Sequence, residues 1–426
     1  MGIDQDMPTL LAGFFLFGFY AKLNAMNVKQ TIKQFIPPVF IKIYHYKLAL
    51  LGALVYGFPG YNKSIKIIGV TGTSGKSTTT DLICRILEEA GFKVASFSTV
   101  RFKIADKEWK NELKMTMPGR MKVQKFLRQA ITANCQFAVL EVSSEGIKQS
   151  RHKFINFDAV VFTNLSPEHI ESHGGFENYR NEKLKLFKAA KNIHVINADD
   201  KNAKYFLNMP AKQKIKFSID DNQKYKLNLK LVGEFNLMNA LAAFAAGTAY
   251  GVSEEVCKKA LENAVGIPGR MEKVSQYPDV VVDYAHTPEQ LEAVYKSLLH
   301  HCEGEARSNL ICVLGSCGGG RDKWKRPVLG EIAKKYCKEI IVTNEDPYDE
   351  NPEEIINQVA EKAGDKVKKI LNRKEAIREA IKMAGENDTV IITGKGSEPW
   401  MCIANGKKIP WDDREIVKEI LKEKIE

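Results

Sequence analysis

The chain has 426 residues, 44% hydrophobic and 27% charged, and its 63 Lys+Arg exceed its 52 Asp+Glu for a net charge of +11. That length exceeds one compact core and predicts two or three domains, and the composition excludes a disordered or fibrous chain. No Arg/Lys run is interleaved with aromatics, so the positive excess points away from nucleic acid and toward nucleotides, acidic peptides or an anionic membrane face. Eight cysteines with no Cys-x-x-Cys pair argue against a zinc site and suit a reducing cytoplasm.

The N-terminal region is apolar. Leu10 to Tyr20 (LLAGFFLFGFY) is short of the ~20 residues that span a bilayer. Asp4 and Asp6 precede it in place of a basic region, which makes it a poor signal peptide. From Phe35 to Gly60 a second apolar run begins at Pro37-Pro38, a helix start, and ends at Pro59-Gly60, a helix stop. Lys42, His45 and Lys47 interrupt it, and residues 1–64 hold six Lys against two Asp. Residues 8–60 are therefore expected to contact a membrane surface, or to pack as a helical arm on the protein itself or a second subunit. The expected location is cytoplasmic, peripheral at the inner membrane face.

From Ile65 the pattern changes to α/β. IKIIGV is a buried-type strand, followed by a Gly/Thr/Ser loop and an amphipathic helix that closes at Gly91. KVASFSTV, FAVLEVSS, FDAVVFTNL and NIHVINADD are further strands, each with polar residues at its end. Strands alternating with helices predict a parallel sheet covered on both faces, with ligands at the carboxyl ends of the strands. A helix over 236–250 leads into GIPGRME, read as a domain joint. VVVDYAH, LICVLGSCGGG, EIIVTNEDP and DTVIITGKG then form a second, Rossmann-like α/β run. The expected divisions are 1–63, 64–267 and 268–426.

The loop Gly72-Thr73-Ser74-Gly75-Lys76-Ser77-Thr78 sits between strand and helix, where glycines let backbone N–H groups and a helix N-terminus approach phosphates. Lys76 is expected on the β- and γ-phosphates and Ser77 on Mg²⁺. The usual first glycine of such a loop is Val70 here. Glu141 and His169 lie at strand ends and complete a candidate Mg²⁺ site. Lys183 reads as one helical lysine among many, and its unmodified ammonium has no lone pair for a metal. Thr116, Ser143, Gln149 and Arg151 suit a polar, anionic ligand.

GVTGTSGKSTTT, EVSSEG, FTNLSPEHIESHGG, NADD, GEFNLMNALAA, PGRME, VDYAHTPEQLE, GGGRDKWKRP, TNEDP and GKGSE follow one another in that order. From about Lys66 to the C-terminus the chain resembles the Mur ligase family, most of all the members that add the third residue to the muramyl peptide. The resemblance implies ATP and Mg²⁺, with the acceptor carboxylate converted to an acyl phosphate that an incoming amine displaces. It implies that Ser77 and Glu141 hold one Mg²⁺, that His169 holds a second, and that Lys183 is carbamylated. It further implies Asn236, Arg270 and Asp283 on ATP. Thr116, Ser143, Gln149 and Arg151 would then lie on the muramyl dipeptide, and Arg321, Glu345, Asp346, Tyr348 and Glu398 around the amino acid. A related ligase with another acid acceptor, such as a folylpolyglutamate or poly-amino-acid type, and a membrane-associated nucleotide-binding protein are the alternatives.

Four positions depart from the family pattern. Glu145 stands for a histidine, Met117 for a threonine, Tyr348 for the arginine of Asp-Asn-Pro-Arg, and Ser397 for a histidine. Tyrosine has no bidentate grip on a distal carboxylate, which argues against diaminopimelate. An acidic wall of Glu345, Asp346, Asp349 and Glu350 would favour L-lysine. The N-terminal region is also shorter than the family's uridine-diphosphate-binding domain, which points to a differently presented acceptor, for example a lipid-linked one.

Overall fold

A computed structural model describes residues 37–301, 309–365 and 367–423, so the Leu10–Tyr20 segment lies outside the described residues. Helix α1 runs Pro38–Val55, with Pro37 at its N-cap as the Pro37-Pro38 start predicts. It ends before Pro59-Gly60, because Gly57 and Phe58 turn left-handed at φ 64° and 50°, and a short 3₁₀ turn follows at Pro59–Tyr61. Arg128 donates to Tyr56 O at 2.6 and 2.8 Å and to Gly57 O at 2.9 Å, which satisfies carbonyls just past this end.

The first sheet holds eight strands: β1 Lys66–Thr71, β2 Val94–Phe97, β3 Arg101–Ile104, β4 Lys107–Lys110, β5 Phe137–Glu141, β6 Phe157–Phe162, β7 Ile193–Asn197 and β8 Gln213–Phe217. Their order is β4-β3-β2-β5-β1-β6-β7-β8. Every pairing is parallel except β2–β3 and β3–β4. Apolar residues point to both faces, as a sheet buried on both sides requires. Helix α2 (Lys76–Glu89) and the helix Glu234–Ala249 cover one face with Leu82, Ile86, Leu241 and Phe244. On the other face, helix α3 (Arg120–Thr132) and the helix Phe176–Ala189 add Phe126, Leu127 and Phe187.

The second sheet comprises β9 Glu272–Gln276, β10 Asp279–Val282, β11 Asn309–Leu314, β12 Glu339–Thr343, β13 Lys368–Ile370 and β14 Asp388–Ile392. Its order is β13-β12-β11-β14-β10-β9, parallel except for the β9–β10 hairpin. The predicted strand runs became β10, β11, β12 and β14. The carboxyl ends of both sheets open onto one shared cleft.

Candidate functional site

β1 lies near the middle of the first sheet, between β5 and β6, and delivers the phosphate-type loop to its carboxyl edge. Val70 is still part of β1, registered opposite Glu141, so the turn begins later than in the usual pattern. Two glycines are required. A Cβ on Gly72 would lie 1.9 Å from Thr163 Oγ1, and one on Gly75, at φ 76°, would lie 2.1 Å from Asn239 Oδ1. The end of β6 braces the loop: Ser74 N donates to Asn164 Oδ1 at 2.9 Å and Thr163 Oγ1 donates to Ser74 O at 2.7 Å. α2 then starts at Lys76 with no side-chain cap, leaving its first N–H groups for an anion. Lys76 Nζ folds back onto Thr73 O at 2.7 Å.

Ser77 Oγ donates to Glu141 Oε2 at 2.8 Å, and Thr99 N donates to the same oxygen at 2.7 Å. Thr99 Oγ1 is also 2.9 Å from Thr116 Oγ1, linking Glu141 to the segment that precedes α3. Lys183 is buried at 1% exposure and donates to Gly72 O at 2.7 Å. Burial, reinforced by the charge of Lys76, pushes its ammonium well below the usual lysine range. His169 adopts φ 56° and places Nε2 3.9 Å from Glu168 Oε1, and burial lowers its pKa. Burial alone would raise Glu168, but His169 and His286 hold it well below the usual carboxylate range. His286 Nε2 reaches Glu168 Oε1 at 2.9 Å across the domain boundary. Ile170 and Glu171 N–H groups donate to the Asp322 carboxylate at 3.2 and 3.0 Å across the same boundary.

The cleft, about 760 Å³, brings together the whole phosphate loop, Glu141, His169, Lys183, Asn236, Arg270 and Asp283. Thr116, Ser143, Arg151, Arg321, Glu345, Asp346 and Glu398 line it too. Asp283 accepts from Met271 N and Ala285 N at 2.7 and 2.6 Å, and burial raises its pKa. Arg270 stacks 4.0 Å over the Tyr284 ring. Asn236 Nδ2 donates to Val232 O at 2.8 Å. Ser143 caps the helix Ser144–Lys148 by accepting from Gly146 N.

Gln149 and Tyr348 are not among the lining residues. Gln149 lies behind Arg151, accepting from its guanidinium at 2.8 Å and donating to Glu145 at 2.6 Å. Tyr348, at φ 53°, lies against Gly319, whose Cβ would meet the ring at 2.6 Å. The expected acidic wall contracts to one member. Asp346 is held by Lys114, Lys395 and Cys402 N, Glu350 by Arg326 at 3.0 Å, and Asp349 accepts from Asn405 N at 2.8 Å. In this wall only Glu345 keeps Oε2 buried without a hydrogen-bond partner among the described residues, while Cys317 Sγ donates to Oε1 at 2.8 Å. Sequence reasoning missed Thr99, Lys114, Glu168 and His286. Glu168 and His286 do lie inside quoted motifs, FTNLSPEHIESHGG and VDYAHTPEQLE.

Known proteins carry the same two units. The family pattern of the Mur ligase middle domain matches residues 70–226, and that of the Mur ligase, glutamate ligase domain matches residues 269–396. The chain is 37% identical to the UDP-N-acetylmuramoyl-L-alanyl-D-glutamate--2,6-diaminopimelate ligase of Syntrophomonas wolfei, over 89% of this chain and 82% of that one. The enzyme of the same name from Bacillus cereus is 32% identical over 93% of this chain and 86% of its own. A solved structure of such a ligase superposes with TM-score 0.56 at 30% identity, covering 85% of this chain and 80% of its own. A pseudomurein peptide ligase type C from Methanothermus fervidus shares the fold with TM-score 0.62 at 20% identity, over 87% and 81% of the two chains.

Proposed function

The chain belongs to the Mur ligase family of ATP-dependent amide ligases, and on that premise we propose that it joins L-lysine to a muramyl-dipeptide acceptor in peptidoglycan precursor synthesis. The observation that carries this reading is the single cleft between the two sheets. A phosphate cradle lies on one wall, and Glu345, whose Oε2 has no hydrogen-bond partner among the described residues, lies on the other. A buried carboxylate oxygen without a partner is costly unless a ligand satisfies it, and an ammonium does so best. The side-chain ammonium of lysine meets that need. Tyr348 offers nothing to the extra carboxylate of diaminopimelate, the amino acid in the relatives' names.

The residues present fit ATP and Mg²⁺. A Cβ at Gly72 or Gly75 would strike Thr163 or Asn239, so only glycine lets the loop pack in this form, and α2 follows it with an uncapped N-terminus. Among the described residues no group of three or more His, Cys, Asp or Glu is arranged to hold a metal. That suits Mg²⁺, which favours one or two protein oxygens together with substrate phosphates. Ser77 and Glu141 would hold one ion and His169 a second. Ions held there would supply neutralisation of phosphate charge. Lys183 is the carbamylation candidate, because only a neutral amine adds CO₂ and burial favours that form.

In this reading an acceptor carboxylate oxygen attacks the γ-phosphorus and ADP departs. The amine of the amino acid then attacks the acyl carbon, and phosphate leaves with the acceptor oxygen. Lys76 balances the anionic charge of the first step, while Arg151, Thr116 and Ser143 orient the acceptor. Arg270 and Asp283 bring the second domain to the nucleotide, and Arg321 faces the carboxylate of the amino acid. The divisions near residues 63 and 267 and a peripheral contact through residues 8–60 belong to the same reading.

The test is ADP release by the full chain with UDP-muramoyl-dipeptide and a panel of amino acids. L-lysine is expected to give turnover and diaminopimelate little. Preference for diaminopimelate would overturn the amino-acid assignment, and turnover indifferent to any acceptor would overturn the ligase reading.

A further inference from the structure

α1 and α3 lie side by side. Gly52 is where their backbones meet, since a Cβ there would lie 3.3 Å from the Cα of Met121. The inward side of α1 buries Ala49 and Ala53 at 2% and 0% exposure. The outward side leaves Val39 63%, Phe40 62%, Tyr44 59% and Leu54 57% exposed. An apolar patch left open on a helix marks a contact surface.

Charge identifies the partner. Neither α1 nor α3 contains Asp or Glu, while together they carry Lys42, Lys47, Arg120, Lys122, Lys125 and Arg128. Lys42, Lys47, Lys122 and Lys125 are exposed. Lys125 lies one turn from both Met121 and Arg128, on the side of α3 that meets α1. An apolar face on two helices that carry cations and no acid repels a copy of itself and matches the anionic headgroups and acyl boundary of a bilayer. Among the described residues no helix is long and apolar enough to cross a membrane, so the fit is to the interface plane.

We propose that the α1–α3 face docks the enzyme on an anionic lipid bilayer, with Arg120 connecting that face to the acceptor end of the cleft. Arg120 contacts His45 of α1, and its Nε donates to Gln149 O at 2.8 Å. Gln149 Oε1 in turn accepts from the cleft-lining Arg151 at 2.8 Å. The docked bilayer therefore borders the place where the acceptor enters. Only this last link rests on the ligase reading; the docking itself stands on the surface.

Flotation of the full chain with vesicles tests it without turnover. At about 0.1 M salt, where the Debye length is ~10 Å, the chain is expected to float with vesicles of equal parts phosphatidylglycerol and phosphatidylcholine, and not with phosphatidylcholine alone. Phe40→Glu with Leu54→Glu places two charges in the apolar strip and should abolish flotation. Lys122→Gln with Lys125→Gln should lower the partition coefficient about 25-fold, about five-fold per lysine at ~1 kcal/mol each. Both variants should retain turnover on a UDP-linked acceptor. Wild-type chain that stays at the bottom with the anionic vesicles overturns the proposal, and so does a Phe40→Glu/Leu54→Glu chain that floats like wild type. A dimer in solution that this variant dissolves would assign the face to a second copy and overturn it as well. Loss of turnover with flotation intact would instead count against the ligase reading.

Discussion

Lys114 reaches out of the first domain, from the segment after β4, into the second. Its ammonium sits between Asp346 and Glu398, 3.3 Å from the latter, and donates to Trp400 O at 3.1 Å. Lys395, fully buried, holds the same two carboxylates at 3.0 and 2.7 Å. Two lysines and two carboxylates thus form a neutral buried quartet, three of whose members belong to the second domain. Lys114→Met would leave two buried carboxylates sharing one cation. Removing one partner of a buried pair costs roughly 3–5 kcal/mol, and the remaining Lys395 argues for the lower end. About 3 kcal/mol corresponds to about 150-fold. The cost falls on the apposition of the domains, so kcat/KM for the amino acid should drop about 100-fold while the unfolding midpoint moves little. Adding Glu398→Gln should recover part of the loss, because it removes the carboxylate left in excess. Burial alone would raise Glu398, but Lys395 and Lys114 hold it at about 2, so its contribution is complete above its unfolded pKa and fades as pH falls toward 2. In Lys114→Met the folded pKa of Glu398 should rise, so the fade should be smaller and should end at higher pH. ADP release against varied amino acid, beside thermal unfolding, reads these outcomes; a Lys114→Met enzyme with wild-type kcat/KM refutes the reasoning.

Gly72→Ala would drive a methyl to 1.9 Å from Thr163 Oγ1 and should eliminate nucleotide binding by calorimetry while leaving the far-UV CD spectrum intact. His152 is 3% exposed, its ring nitrogens have no hydrogen-bond partner among the described residues, and burial pushes it down to about 3. Its neutral form is the folded one, so stability should be complete above the unfolded value near 6.5 and decline as pH falls toward 3. Between pH 7 and 5 this group should account for about 2 kcal/mol in urea unfolding, a slope that His152→Leu should remove. Arg373 and Asp413 form a fully buried pair at 2.7 Å. Arg373→Met should cost roughly 3–5 kcal/mol of stability by denaturant titration, and a wild-type midpoint would contradict that.

The sheets were legible because their strands are continuous apolar runs ending in polar loops. Those polar ends are where Glu141, His169, Glu345 and Glu398 lie. The phosphate loop was legible because strand, glycines and helix are contiguous in sequence. The β3–β4 hairpin was not, since its short outer strand is charged and wholly exposed and shows no apolar alternation. Pairings across the domains leave no local mark. Lys114 and Asp346 are 232 residues apart, so Asp346 reads in sequence as a free acid beside Glu345 although two lysines hold it. Tyr348 shows the same limit. Its departure from the family motif is visible, but the left-handed turn that lays its ring on Gly319 depends on packing.

The central claim is that this cleft activates an acceptor carboxylate by phosphorylation before amide formation. It is tested most directly with a muramyl-dipeptide acceptor whose terminal carboxylate carries ¹⁸O at both oxygens, turned over with ATP and L-lysine. Each released phosphate is expected to carry one ¹⁸O, in step with amide formed; amide formed with unlabelled phosphate would contradict activation by phosphorylation.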